Sequence, residues 1–386
     1  MTQAVLTSPS PRAARAVVSF HERVAGLCKD RLREALNPAT ALFDRQLRDR
    51  TWQATRDTED LTSTAICLIG LHRAEVAPRV IGLDVRRTLS ALVEVTRRRR
   101  YQGGLGLVLW ANAVWDGLPL DELLRKTGMA LAPGRELTAS LTTMETAWLV
   151  SGLVHEHRRS RSPRAEAALE VATRALLERY QPDTRLFRHA GDEASVAHRL
   201  RKWVSNFADQ IYSVQATAFV AITRGRREAL AASEACAARL VELQGELGQW
   251  WWHYDPRDGR VAQGFPVYSV HQHAMAPMAL MTLAAAGGAD HRAAVELSHA
   301  WLGRNELGAQ LLDREAGTLW RDIELVESRL ARTARHAIRV VGWKPPDVGL
   351  HETNLKVNFE TRPYEWAWCL FAGAIAAGST RPQHVI

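Results

Sequence analysis

Six stretches of this chain are apolar on almost every helical face, and the stretches between them alternate apolar with charged positions. The six begin near residues 61, 103, 143, 213, 270 and 363. A surface helix shows one apolar stripe, so helices apolar all round must be covered by others. Segments 14–36, 163–179, 226–247 and 291–304 have the striped, Arg/Glu-rich pattern that can do the covering. Alternation of β-branched residues is short throughout, so strands are expected to contribute little. The pattern predicts an all-α chain folded as a single (α/α)6 toroid, six inner helices ringed by about six outer ones. Residues 14–380 form that one domain, because a closed ring cannot be cut into independent cores. Residues 1–13, rich in Ser, Pro and Arg, and residues 381–386 are expected to be tails.

Internal repeats point the same way. Thr64-Ala65-Ile66 through Gly70-Leu71 recurs as Thr146-Ala147-Trp148 through Gly152-Leu153, and Tyr212-Ser213-Val214-Gln215 recurs as Tyr268-Ser269-Val270-His271. A second family of repeats lies between outer and inner segments. Asn37-Pro38 through Leu42-Phe43 resembles Gln181-Pro182 through Leu186-Phe187, with echoes in Asp255 through Val261 and Asp313 through Trp320. Pro, Asp and Gly at these spacings make tight turns, so recurrent loops should join each outer helix to the next inner one.

Composition adds three points. No apolar run reaches the roughly 18 residues needed to span a bilayer, so no membrane segment is expected. The formal net charge is +8 with 14 His counted neutral, and nearly all of the 50 basic residues are arginine, whose planar fork suits carboxylate and phosphate. A small anionic substrate is the expected partner. Nucleic acid is not, because the Arg97–Arg100 run sits where a helix C-terminus favours cations. The 13 tryptophans, against 8 Phe and 6 Tyr, suit sugar stacking or stabilisation of a cation by π faces. Four cysteines without close pairs suggest neither a disulfide framework nor a zinc site. With no leader-like apolar segment, the chain reads as cytoplasmic.

Helix N-termini carry unpaired N–H groups and partial positive charge, so chemistry is expected where the inner helices begin. Residues just ahead of them are unusually polar. Asp57, Glu59 and Asp60 precede the first inner helix; Glu145 the third; Asp209, Gln210 and Tyr212 the fourth, with Gln215 one turn on; Tyr268, His271 and His273 the fifth; Arg362, Tyr364 and Glu365 the sixth. Asp60 could equally be an N-cap. Gly248-Gln249-Trp250-Trp251-Trp252-His253-Tyr254 is the densest aromatic cluster; neighbours along a strand or loop point apart, so at least one Trp should face the cavity. His271 and His273 diverge on a helix, so no metal is assigned to them. Arg362 could clamp an anion or pair with Glu360 or Glu365.

The run Gln244 through Trp250 reads Gln-x-x-x-Gly-x-Trp and resembles the QW repeat of the terpenoid cyclase and protein prenyltransferase toroids. That resemblance implies acid-initiated cyclisation of an isoprenoid, with Asp57, Glu59 or Asp60 as the acid and Trp250, Trp251 and Trp252 as cavity walls. Cyclases of this kind carry Asp-x-Asp-Asp-Thr-Ala; here Asp57-Thr58-Glu59-Asp60 stands three residues out of step with Thr64-Ala65. No cofactor is implied, although a diphosphate substrate would bring Mg²⁺. The turn Asp313-x-x-x-Gly317-x-Leu319-Trp320 resembles instead that of six-hairpin glycosidases, epimerases and uronate lyases. On that alternative Tyr268 and His271 are the acid–base pair, and Trp250 to Trp252 with Tyr254, Tyr212, Gln215, His273, Arg362, Tyr364 and Glu365 bind an anionic sugar. A non-catalytic helical binding scaffold is the third reading.

Overall fold

The computed structural model describes residues 11–48, 51–53, 59–326 and 354–378. Helices alternate between an outer and an inner layer along the chain. They run α1 (Pro11–Ala35, outer), α2 (Glu59–Arg73, inner), α3 (Val85–Arg99, outer), α4 (Leu105–Val114, inner), α5 (Leu120–Thr127, outer), α6 (Thr143–Ser160, inner) and α7 (Pro163–Leu177, outer). After the short α8 (Val196–Leu200) come α9 (Phe207–Arg224, inner), α10 (Arg227–Glu242, outer), α11 (Ala276–Ala285, inner), α12 (Arg292–Trp301, outer) and α13 (Pro363–Ala377, inner). The inner helices touch in the cyclic order α2, α4, α6, α9, α11, α13 and back to α2, which closes the toroid. Outer helices lie on this ring through their apolar stripes, as Ala165, Leu169, Ala172 and Leu176 of α7 illustrate, all buried.

Glycines set how closely the inner helices approach. A Cβ on Gly70 would stand 2.2 Å from the Ala367 carbonyl oxygen, and one on Gly152 would stand 2.1 Å from that of Gly106. These two glycines occupy the same place in the first sequence repeat, so the repeat marks the crossings α2–α13 and α4–α6. Without side chains there, backbones pack directly and the ring stays narrow.

Short strands decorate the loops: β1 (Gln46–Arg48), β2 (Thr51–Gln53), β3 (Tyr180–Gln181), β4 (Leu186–Phe187), β5 (Ser205–Asn206), β6 (His253–Asp255) and β7 (Arg260–Gln263). Further on are β8 (Val267–Tyr268), β9 (Leu312–Asp313), β10 (Thr318–Leu319), β11 (Asp322–Leu325), β12 (Leu355–Asn358) and β13 (Glu360–Thr361). The second repeat family resolves into one turn used four times. Leu36 bridges Phe43, β3 pairs β4, β6 pairs β7 and β9 pairs β10, all antiparallel. The fifth residue of each repeat is left-handed: Ala41 at φ 59°, Arg185 at 61°, Gly259 at 74° and Gly317 at 63°. Each hairpin follows an outer helix and leads to an inner one.

Three helix starts differ from the sequence reading. Helix α9 starts at Phe207 rather than near 213, because Asn206 and Asp209 form a capping box whose polar first turn hides the helix from an apolar criterion. The fifth inner segment opens as a π turn, His271–Met275, before α11 proper. Helix α1 begins at Pro11, inside the expected tail.

Candidate active site at the helix mouth

The first turns of α2, α6, α9 and α13 and the π turn of α11 converge on one cavity of about 390 Å³. Its aromatic wall is Trp148, Tyr212, Trp252, Tyr268, His271 and Tyr364, and its cationic side is Arg321 and Arg362. Thr62, Ile66 and Met144 contribute from the helix starts, and no Asp or Glu lines it among the described residues.

Carboxylates of the mouth serve the architecture instead. Glu145 closes a capping box with Thr142 and accepts a hydrogen bond from the Tyr101 hydroxyl at 2.5 Å. Asp209 caps α9, accepts from the backbone N–H of Met144 at 3.0 Å and lies 2.8 Å from His189 Nδ1. Gln210 is spent on the backbone of Phe187 and on Ser205. An orphan helix N–H or loop amide in a dry interior needs a partner, and these side chains supply it. Asp57 lies outside the described residues, as do the side chains of Glu59 and Asp60.

The aromatic wall is built from mutual contacts. Trp252 and Tyr268 stand 4.8 Å apart between ring centroids, Tyr268 and His271 5.2 Å, and Trp148 and Tyr212 5.5 Å. Trp252 is held at its backbone N–H by the Gly264 carbonyl and at its carbonyl by the Phe207 N–H. Trp250 and Trp251 both lie off the lining. Trp250 stacks on Phe207 at 5.9 Å, and Trp251 donates its indole N–H to the Leu243 carbonyl. Tyr254 is fully buried behind this layer. Gln215 and His273 are also buried off the lining, and both amide atoms of Gln215 lack a hydrogen-bond partner among the described residues. The π turn separates His271, in the cavity, from His273, in the core.

Behind the cationic side stands a carboxylate cluster. Glu360 on β13 accepts from Arg362 Nε at 2.6 Å, meets Arg321 Nη1 at 3.2 Å and meets Arg48 Nη2 at 2.9 Å. Burial works against its charge, but the surrounding arginines prevail and hold it below the usual carboxylate range. Arg362 thus both lines the cavity and pairs with Glu360. Arg321 Nη1 also lies 3.4 Å from Glu365 Oε1, its Nε lies 3.4 Å from Asp322, and its guanidinium sits over the Tyr268 ring at 5.1 Å. Burial pushes the Glu365 carboxyl up to about 8 and that of Asp322 up to about 7, against the pull of Arg321. Near neutrality Glu365 is therefore mainly protonated, and the arginines keep uncompensated charge for a ligand.

Two groups can move protons. Burial pushes the Tyr268 phenol well above its ordinary value, so it is a proton donor at neutral pH. Burial drives His271 down to about 3, so its imidazole is neutral in the empty cavity, and the negative charge of a bound carboxylate would raise its basicity again. Its Nδ1 is buried without a hydrogen-bond partner among the described residues. A planar carboxylate against the arginines, a ring against Trp252 and Trp148, and a donor and an acceptor at one edge describe what the cavity can hold.

Arg321 and Trp148 are not among the predicted site residues, and only Trp148 carries a signal in the chain. Trp148 occupies the place of Ile66 in the first repeat, and Met144 that of Thr62; all four line the cavity. Arg321 has no such counterpart: in the turn register that aligns Gly317 with Arg185, its place is taken by His189. The second repeat, by contrast, equates Tyr212 inside α9 with Tyr268 on β8, so its members reach the cavity from different elements.

No family model and no curated protein matches the chain. Solved structures do. An unsaturated glucuronyl hydrolase specific for heparin superposes with a TM-score of 0.61 at 12% identity, covering 94% of this chain and 97% of that one. A glycosaminoglycan-degrading unsaturated glucuronyl hydrolase from Bacillus sp. GL1 gives 0.58 at 12% identity, covering 94% and 96%. A sugar epimerase from a ruminal bacterium gives 0.59 at 10% identity, covering 94% and 99%. These neighbours overturn the expectation of an isoprenoid cyclase. The Gln-x-x-x-Gly-x-Trp run is a local brace: Gln244 donates to the carbonyls of Gly248 and Ala294, and Trp250 packs inward. What this chain has in common with the sugar enzymes, end to end, is the toroid of six inner and six outer helices.

Proposed function

We propose that the mouth cavity binds a uronic-acid sugar and carries out acid–base chemistry at the carbon bearing its carboxylate. The observation that carries this reading is the juxtaposition of Arg321 and Arg362 with Trp148, Trp252, Tyr268 and His271 in a cavity without a lining carboxylate among the described residues. The likeness to unsaturated glucuronyl hydrolases and a sugar epimerase supports a sugar over other anions. A pair of acidic residues, the usual equipment for direct glycosidic hydrolysis, is not furnished by the lining among the described residues.

The mechanism follows from charge. Two arginines on the carboxylate stabilise the enediolate that forms when the adjacent C5–H bond breaks. His271 takes that proton. Tyr268 gives its own to the oxygen leaving C4, and the C5–H electron pair becomes the C4=C5 double bond. Trp252 and Trp148 hold the ring flat against them. Run backwards, the same two groups add a hydroxyl compound across an unsaturated uronide. Return of the proton to C5 from the opposite face would be epimerisation.

The test is proton exchange. Uronate-terminated disaccharides incubated in D₂O with the protein should lose the C5–H signal by NMR, and unsaturated uronyl disaccharides should lose their ultraviolet absorbance. Arg321→Gln should weaken uronate binding by about 1.5–3 kcal/mol, the worth of a charge-assisted hydrogen bond. Neutral disaccharides binding as tightly as uronates, with no exchange at C5, would defeat the reading.

A further inference from the structure

The opposite end of the ring carries a second cavity, of about 410 Å³, between the C-terminal ends of the inner helices α2, α4 and α6 and the side of α13. It is as large as the mouth cavity, and the aromatic residues Trp148, Tyr212, Trp368 and Trp110, in contact along the ring's interior, separate the two. Its floor is Trp110, His155 and Phe371, each more than nine-tenths buried, and its rim includes Arg73 and Trp115.

Two polar groups there can answer a ligand. His155 stacks on Trp110 at 4.6 Å, and its Nδ1 lies 2.8 Å from the Ser151 carbonyl oxygen. A carbonyl only accepts, so Nδ1 carries the proton and Nε2 presents a lone pair. Among the described residues nothing donates to that Nε2. Arg73 lies over the Phe371 ring at 5.9 Å, and its Nε is buried with no hydrogen-bond partner among the described residues. Glu75 lines the same cavity and offsets part of that charge, while Arg158 nearby adds to it. An Arg73 N–H buried without an acceptor is costly unless a ligand answers it.

The rest of the lining is mainly aromatic and aliphatic, including Ile69, Val76 and Val114, with His72 as a further titratable side chain. A sugar would leave most of its hydroxyls unpaired against such walls. We propose that this pocket is a second ligand site, for a small aromatic carboxylate that also carries a hydrogen-bond donor. The carboxylate meets Arg73, the ring lies against Trp110, Trp115 and Phe371, and the donor reaches His155 Nε2. Occupation is independent of the sugar chemistry at the mouth.

The probe is 4-hydroxybenzoate, titrated against the full chain by calorimetry and by quenching of tryptophan fluorescence. Saturable binding that survives excess glucuronate is expected. Benzoate, lacking the donor, and 4-hydroxybenzyl alcohol, lacking the charge, should each bind at least about tenfold more weakly, the equivalent of one charge-assisted or buried hydrogen bond. Arg73→Gln should weaken 4-hydroxybenzoate by a similar factor, whereas Arg321→Gln should leave it unchanged. Loss of binding in Arg321→Gln with none in Arg73→Gln would place the acid at the mouth and overturn the proposal, as would no saturable binding at all. Should Arg73→Gln fail to fold, a crystal of the unaltered chain soaked with the acid decides: density over Phe371 supports the site, and density only at the mouth refutes it.

Discussion

Glu365 offers the sharpest quantitative test of the site's electrostatics. It is fully buried one turn into α13, with one oxygen 3.4 Å from Arg321 and the other without a partner among the described residues. Burial raises its carboxyl from an ordinary 4.5 to about 8, although Arg321 and Arg362 pull the other way. Between those values the folded chain keeps a proton that the unfolded chain has released. Stability contributed by this group is complete below about pH 4.5 and is lost as pH rises through about 8. Glu365→Gln has the same shape and hydrogen-bonding capacity as the protonated acid but cannot ionise. Integrating the linkage from pH 6 to pH 9, the variant should gain about 2.5 kcal/mol on the unaltered chain, at about 1.4 kcal/mol per unit of pKa. Urea denaturation followed by tryptophan fluorescence at both pH values reads this directly. A gap between the two proteins that does not change with pH would mean that Glu365 is ionised throughout, and the excess positive charge assigned to the mouth would go with it.

Four further outcomes follow from particular contacts. Arg362→Ala should weaken uronate binding by about 1.5–3 kcal/mol, measured by calorimetry, and a neutral sugar of the same size should be little affected. Tyr268→Phe should lower turnover on a uronate substrate by about 10²–10⁴-fold with little change in binding, which single-turnover kinetics would separate. Ala41→Gly should raise stability by up to about 1 kcal/mol, because glycine relieves a left-handed residue at a turn where two of the four repeats already use it; an unchanged or lower denaturation midpoint would contradict the common turn geometry. Gly70→Ala should cost about 1–3 kcal/mol or more, because its Cβ would meet a backbone carbonyl rather than a movable side chain.

The ring and its inner–outer alternation were legible in the chain because both depend on local periodicity. A helix apolar on all faces has only one physical solution, enclosure by others, so six such stretches among amphipathic ones define the layers. Repeats carried further detail: Gly70 and Gly152 mark helix crossings, and four turn sequences share one left-handed position. Tyr268, His271, Arg362 and Tyr364 were legible as mouth residues from their place at helix starts, Tyr212 from the repeat it shares with Tyr268, and Trp252 from the aromatic cluster. Their division of labour was not. Glu145, Asp209 and Gln210 stand at equally good positions, but they answer orphan backbone groups on neighbouring loops, and those loops meet them only in the folded ring. Trp250 and Trp251 stand beside Trp252 in the chain yet lie off the lining, and the backbone pairing of Trp252 with Gly264 and Phe207 fixes which of the three faces the cavity. Arg321 reaches the cavity because β11 pairs with β8 and sets it beside Tyr268, a long-range register with no local trace. Periodicity along the chain determines which faces must be buried; the choice of which polar side chain faces a cavity and which satisfies a backbone is made by contacts between distant segments, because only there does each buried donor or acceptor find, or fail to find, its partner.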